Sequence, residues 1–281
     1  MRSLGEDCGD LAGIHWVNDA GGCSGVYVME DGRTLIDAGN MYGLTDELRD
    51  FGPLERLERV LLTHAHFDHV GGLAEIFSET SPDIFLHEAA REPLSRLKEP
   101  FPSFFEILEK DKKIHFLRDG DVIPCNPSLR ALYTPGHTAG DLCFFAEALG
   151  GLFSGDAIPY NSRARDSMGL ARPDVFSRGC VENWIQSLRK LLRLNIRHLL
   201  PGHGEPVFHT GADRIKLGLF SLYSSVCGEQ KDQAWIMMGY EMLDAGFLEE
   251  ARQCAAKAMR LTSDSVELRL LLERMEGEAA K

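Results

Sequence analysis

The sequence predicts an α+β fold of four layers, an αββα sandwich in which two sheets pack face to face with helices over both outer sides, followed by a helical extension. Two observations predict it. Short apolar runs that read as strands come in groups, with helical stretches between the groups. After Val207 the strand signals stop, and helical periodicity runs to the end of the chain. With 281 residues there is room for a full-sized core and a small appendage. The expected division is a sandwich domain over 1–210 and a helical extension over 211–281.

Val26 to Met29 and Thr34 to Asp37 read as a hairpin around the turn Glu30 to Arg33. A short helix is expected from Leu44 to Phe51 and a buried strand from Arg59 to Thr63. A further helix follows from Leu73 to Phe77. Asp83 to His87 is the next strand, with helical signal resuming at Ala89. Lys113 to Leu117, Leu129 to Tyr133, Asp141 to Phe145 and Gly151 to Ser154 read as strands. Residues 157–180, rich in Arg, Pro, Gly and Ser, read as a long loop. Val181 to Leu194 is an amphipathic helix, and Arg197 to Leu200 a final strand.

Composition narrows the function classes. A hydrophobic fraction of 44% is ordinary for a globular chain. A formal net charge of −13 argues against a nucleic-acid partner and against docking on an anionic membrane. No apolar run approaches the roughly 20 residues that span a bilayer. Met1 to Asp10 is polar and acidic, without the apolar segment of a signal peptide. The seven cysteines are scattered and form no C-x-x-C pair, which suits free thiols in a reducing cytoplasm.

The chemistry is concentrated in Thr63 to Gly72. His64, His66, Asp68 and His69 crowd into six positions directly after an apolar strand. The first three alternate, which in extended chain projects them to one side, and His69 falls where a helix begins. Such a cluster is costly to bury unless something coordinates it. Three further strands end the same way: Tyr133-Thr-Pro-Gly-His137, Leu152-Phe-Ser-Gly-Asp156 and Leu199-Leu-Pro-Gly-His203. Each ligand has a glycine beside it that lets the backbone bend at the sheet edge.

From about Gly21 to Val207 this pattern resembles the metallo-β-lactamase superfamily, whose H-x-H-x-D-H motif is matched by His64 to His69. The resemblance implies a metallohydrolase with two divalent ions, Zn²⁺ foremost, Fe²⁺ or Mn²⁺ otherwise. It implies that His64, His66 and His137 hold the first ion, that Asp68, His69 and His203 hold the second, and that Asp156 bridges both. Asp37 matches a family motif near the site and reads either as orienting a ligand or as a cap. Thr138 and Asp141 read as turn or capping residues. A water between two such ions loses a proton near neutral pH and becomes the nucleophile, with Asp68 a proton shuttle as well as a ligand.

The family's substrates include thioesters, lactones, phosphodiesters and persulfides. His137 to Asp141 and Phe153 to Asp156 are similar to glyoxalase II-type thioesterases, and Thr63 to His69 fits lactonases equally. The expected substrate is a small carboxylic ester, a thioester or lactone. The rival readings are a mononuclear iron persulfide dioxygenase, a phosphodiesterase, and a metal-stabilised scaffold without catalysis. Tyr160, Asn161, Arg163, Arg165 and Arg172 lie on the loop after Asp156, where the arginines would grip a substrate carboxylate. Beyond Gly211, Trp235, Gly239, Gly246, Ala251 and Ala258 resemble one tetratricopeptide repeat, with Met242 and Ser263 departing from its pattern. A single repeat does not bury its own face, so packing on the catalytic domain, a homodimer or another partner is the expectation.

Overall fold

A computed structural model describes residues 1–17, 24–40, 43–98, 101–158, 173–262 and 264–279. Twelve strands form two sheets among these residues. They are β1 (Arg2–Ser3), β2 (His15–Val17), β3 (Val26–Met29), β4 (Thr34–Ile36), β5 (Arg59–Leu61), β6 (Asp83–His87), β7 (Ile114–Leu117), β8 (Val122–Ile123), β9 (Leu129–Tyr133), β10 (Leu142–Ala146), β11 (Gly151–Gly155) and β12 (His198–Pro201). The first sheet runs in chain order from β1 to β7, antiparallel as far as β4 and parallel from β4 to β7. The second has the order β12-β11-β10-β9-β8 and is antiparallel except for the β11–β12 pair.

Alternation along the strands builds the layers. In β3, Tyr27 and Met29 join Ile36, Leu61, Ala131, Leu142, Phe144, Phe153 and Leu200 in one apolar cluster between the sheets. Val26 and Val28 turn the other way. They pack with Val60, Ile84 and Leu86 against Leu44, Leu48, Leu73, Ile76, Phe105 and Leu108, which lie on the helices Leu44–Arg49, Leu73–Glu79 and Phe101–Lys110. Trp184 of the helix Val181–Leu192 is fully buried and donates its indole N–H to the Ala157 carbonyl at 2.8 Å. This is the α+β sandwich expected.

Three stretches hold more regular structure than the sequence pattern shows. Before Val26, β1 and β2 extend the first sheet, and Leu4, Leu11, Ile14 and Trp16 are buried. Strands of two and three residues are too short to show a period. The helical signal expected from Ala89 is met by the helix Arg91–Ser95, and a second helix, Phe101–Lys110, follows it with Pro102 in its first turn. A proline is tolerated in a helix's first turn, where no partner for its N–H is needed. Within the long loop of 157–180, Val175–Ser177 forms a 3₁₀ turn capped by the Asp174 side chain. Tyr160, Asn161, Arg163, Arg165 and Arg172 lie outside the described residues, as do Cys23 and Ser263.

The chain divides into two compact units, Met1–Ser187 with Asn195–Arg214, and Leu188–Leu194 with Ile215–Lys281. In the second, the helices Lys231–Asp244 and Leu248–Met259 are joined by a short turn in which Gly246 has φ +84°. That left-handed backbone favours glycine. A Cβ at Gly239 would lie 2.6 Å from Leu271 Cδ2, so its missing side chain lets the helix Val266–Ala279 come close. Ala251 and Ala258 are buried, and Trp235 stacks on Phe220 with ring centroids 3.9 Å apart. Glu241 Oε1 accepts from Tyr223 Oη at 2.7 Å and from Arg189 Nε at 2.8 Å.

Phe153 is fully buried between the sheets, edge-on to Tyr27 at 5.1 Å between ring centroids. Phe153→Ala is expected to lower unfolding free energy by about 3–5 kcal/mol. Urea denaturation measures this, and a loss below about 1 kcal/mol would contradict the packing described.

Candidate metal centre

Seven side chains meet at the ends of strands. β5 leads directly into His64 and His66. The chain then turns into the helix Phe67–Val70, which carries Asp68 and His69. The alternation expected to align His64, His66 and Asp68 therefore stops at Phe67. It is this change from extended to helical backbone that sends Asp68 and His69 to a different group from His64 and His66. His137 follows β9, Asp156 follows β11 directly, and His203 follows β12.

The donor atoms sort into two groups about one carboxylate. His66 Nδ1 lies 3.0 Å from His64 Nε2 and 2.9 Å from His137 Nε2. Asp156 Oδ2 is 3.5 Å from His137 Nε2 and 4.0 Å from His64 Nε2. On the other side, Asp156 Oδ1 is 3.3 Å from His69 Nε2 and 3.6 Å from His203 Nε2. Asp68 Oδ2 completes that group, 3.0 Å from His203 Nε2 and 3.9 Å from His69 Nε2. His64, His66, His137 and Asp156 form one set of suitable donors, and Asp68, His69 and His203 a second.

Several features hold these groups in place. Asp37 accepts from the Thr63 amide at 2.8 Å and from the Thr63 hydroxyl, and its Oδ2 lies 2.7 Å from His69 Nδ1. That contact fixes the ring with Nε2 facing Asp156. Asp37 is buried and its φ is +58°, an uncommon conformation for a residue with a side chain. The Ala38 amide donates to the His69 carbonyl at 2.8 Å and the Ser24 hydroxyl to the Asp68 carbonyl at 2.9 Å. Asp141 accepts from the Thr138 amide at 2.7 Å and from the Thr138 hydroxyl, which shapes the turn that carries His137. Burial pushes the Asp141 carboxyl up to about 8 against the donors on Thr138. At Gly202 a Cβ would stand 2.7 Å from both Asp156 Oδ1 and His69 Cε1, so the space beside the carboxylate depends on that glycine.

Two contacts carried no sequence motif. Asp174 Oδ2 lies 3.0 Å from His66 Nε2, leaving His66 Nδ1 to face the cluster. Burial works against its charge, but the Ser177 hydroxyl, the His66 ring and the Phe176 amide hold the Asp174 carboxyl down at about 2. Thr63 Oγ1 lies 3.1 Å from His64 Nδ1. Its signal was position alone, immediately before the histidine motif.

The electrostatics are those of a compressed site. Burial, then the neighbouring His69, pushes His64 well below its ordinary value. Burial opposes charge on His69 too, but the carboxylates of Asp37 and Asp156 outweigh it and hold the ring well above its usual range. Asp156 is held well below the carboxylate range, because His69, His64 and His203 outweigh its burial. The hydrogen bond that His203 donates to the Asp68 carboxylate raises the His203 ring above its ordinary value. His69 Nε2 and Asp156 Oδ1 are nevertheless buried without a hydrogen-bond partner among the described residues. A buried imidazole nitrogen and carboxylate oxygen left in this way are costly. The two atoms stand 3.3 Å apart where the donor sets meet, and a cation there would satisfy both. The residues present therefore fit a metal pair.

Residues 19–203 match the family model described as the Metallo-beta-lactamase superfamily. The chain belongs to that superfamily. Among curated relatives it is 30% identical, over 184 residues, to the atrochrysone carboxyl ACP thioesterase of Aspergillus fumigatus, an alignment that covers 63% of this chain and 50% of the thioesterase. It is 34% identical over 139 residues to a hydroxyacylglutathione hydrolase of Vibrio cholerae, covering 49% of this chain and 44% of the hydrolase. The chain thus spans about half the length of each of these relatives. Among solved structures, TTHA1623 in a di-iron-bound form superposes with a TM-score of 0.52 at 24% identity, over 74% of this chain and 96% of that one. At that identity the likeness shows the metallo-beta-lactamase fold.

Asp37 acts on the centre through His69. Asp37→Asn should weaken divalent-metal binding about 10–100-fold. Competition against a chromophoric chelator reads this, and unchanged affinity would remove Asp37 from the positioning of His69.

Proposed function

We propose that this chain is a dinuclear metal-dependent hydrolase of a small carboxylic ester, most readily a thioester or lactone. The observation that carries the reading is the buried Asp156 carboxylate, whose two oxygens face different histidine groups while Oδ1 has no hydrogen-bond partner among the described residues. Under this reading His64, His66 and His137 hold one ion, Asp68, His69 and His203 hold the other, and Asp156 joins them. Donors of imidazole and carboxylate without thiolate suit Zn²⁺, Fe²⁺ or Mn²⁺, and Zn²⁺ is the first choice. When bound, the ions supply Lewis acidity toward a carbonyl oxygen and make an adjacent water acidic.

The chain's own groups do the rest. Asp37 and Asp174 fix the rings of His69 and His66 from behind, so the donors are aligned before substrate arrives. Asp68 is the most exposed of the carboxylates at the centre, at 34% of its side chain, and can pass a proton to a leaving group at the mouth of the site. Val175 and Phe176 follow Asp174 and are largely exposed, 73% and 83%. They offer apolar surface close to His66, which suits an acyl group more than a phosphodiester. The names of the two curated relatives, an ACP thioesterase and a hydroxyacylglutathione hydrolase, support an acyl substrate as well.

The test is turnover of a panel of thioesters, lactones and phosphodiesters by metal-loaded protein. His66→Ala is expected to lower kcat/KM on the preferred ester by about 100-fold or more, with the far-ultraviolet circular dichroism unchanged. Full turnover in that variant, or turnover confined to phosphodiesters, would overturn the reading.

A further inference from the structure

At the opposite end of β12 from His203, a second group of donors converges from separate stretches of chain. β12 puts His198 about 10 Å from Pro201, the residue two before His203. Cys8 follows the short helix Leu4–Asp7 and is tied to it by its amide, which donates to the Leu4 carbonyl at 2.8 Å. His198 opens β12. His209 arrives after the chain doubles back through the Leu199–Val207 bridge, at a φ of +62°.

Cys8 Sγ lies 3.8 Å from His198 Nδ1 and 3.7 Å from His209 Nε2. Cys8 and His198 are buried, while Asp10 and His209 are exposed. One donor atom from each of Cys8, Asp10, His198 and His209 lies within 4.8 Å of all the others.

Four groups that can all ligate a metal meet here, two of them buried. The thiol can donate to one imidazole and accept from the other, so the same contacts serve a hydrogen-bonded form of the site and a metal-bound one. The distances match a coordination polyhedron. With metal–sulfur and metal–nitrogen bonds of about 2.3 and 2.0–2.1 Å, the sulfur–nitrogen edge of a tetrahedron is about 3.6 Å. His198 Nε2 is buried without a hydrogen-bond partner among the described residues, and the nearest carboxylate oxygen, Asp10 Oδ2, stands 3.4 Å away. That oxygen also accepts from Arg197 Nη2 at 2.6 Å, so it is itself anchored. The His209 amide donates to His198 Nδ1 at 3.4 Å, a long bond that coordination of that nitrogen would replace.

We propose that Cys8, His198 and His209 bind a thiophilic divalent ion of the zinc class, with Asp10 orienting His198 through its Nε2–H. Binding converts the Cys8 thiol to thiolate and releases that proton to solvent, and no electrons move. A carboxylate behind a metal-bound imidazole is the usual arrangement for fixing such a ring. The ion staples the segment around Cys8 to the last strand of the second sheet and to the return loop at His209. A soft thiolate separates it chemically from the candidate centre, whose donors are all imidazole and carboxylate.

Cobalt substitution tests this independently of the hydrolase reading, because a thiolate-to-cobalt charge-transfer band in the near ultraviolet requires a cysteine ligand. The Co²⁺-loaded wild-type protein is expected to show that band. Cys8→Ser should lose it, His66→Ala should keep it, and Cys8→Ser should hydrolyse substrate at the wild-type rate. His209→Ala changes an exposed residue and should lower bound metal by one ion per chain in mass spectrometry under native conditions. Absence of the band from the cobalt-loaded wild type, its persistence in Cys8→Ser, or unchanged metal content in His209→Ala would each overturn the proposal.

Discussion

A charged carboxylate buried between two groups of imidazoles is the constraint on which this molecule is organised. Asp156 is almost fully inside the protein, at 6% exposure, and its two oxygens look in different directions. Taking such a group out of water costs several kcal/mol unless positive charge faces it from close by. Its neighbours are histidines, which are themselves costly to bury when charged. The polypeptide therefore holds a set of groups whose mutual stabilisation is incomplete without cations, and the surrounding fold exists to keep them apart at coordination distances.

That constraint explains the architecture around the centre. The groups come from segments far apart in sequence, yet each stands at the end of a strand or one turn beyond it. Strand ends are where a rigid ladder hands over to a loop, so a side chain there is both positioned by the sheet and free to turn inward. Backbone contacts then fix the last degree of freedom: the Ala38 amide on the His69 carbonyl, the Ser24 hydroxyl on the Asp68 carbonyl, and the Thr138–Asp141 turn below His137. Gly202 keeps the approach to Asp156 clear. Rigid supports of this kind reduce the reorganisation that binding and chemistry would otherwise demand.

Much of this was legible in the sequence because repetition reveals it. Four apolar strands, each ending in a ligand type with glycine close by, form a pattern that chance turns do not produce. The division of the first motif was not legible from alternation. His64 and His66 extend the strand, but Asp68 and His69 belong to a helix that starts at Phe67, and strand periodicity could not foresee the switch. Asp174 was hidden because it sits in a loop with no motif and meets His66 only through the fold. β1 and β2 escaped notice for a different reason: two and three residues carry no period, and their burial comes from sheet pairing rather than from hydrophobic patterning. The donors at Cys8, His198 and His209 were individually unremarkable and acquire meaning only when β12 and the return loop bring them together.

The most direct measurement of the central claim is an anomalous-diffraction map of crystals of the metal-loaded protein. The account predicts two peaks roughly 3.5–4 Å apart with one on each side of the Asp156 carboxylate. A single peak in that space, or none, would contradict it.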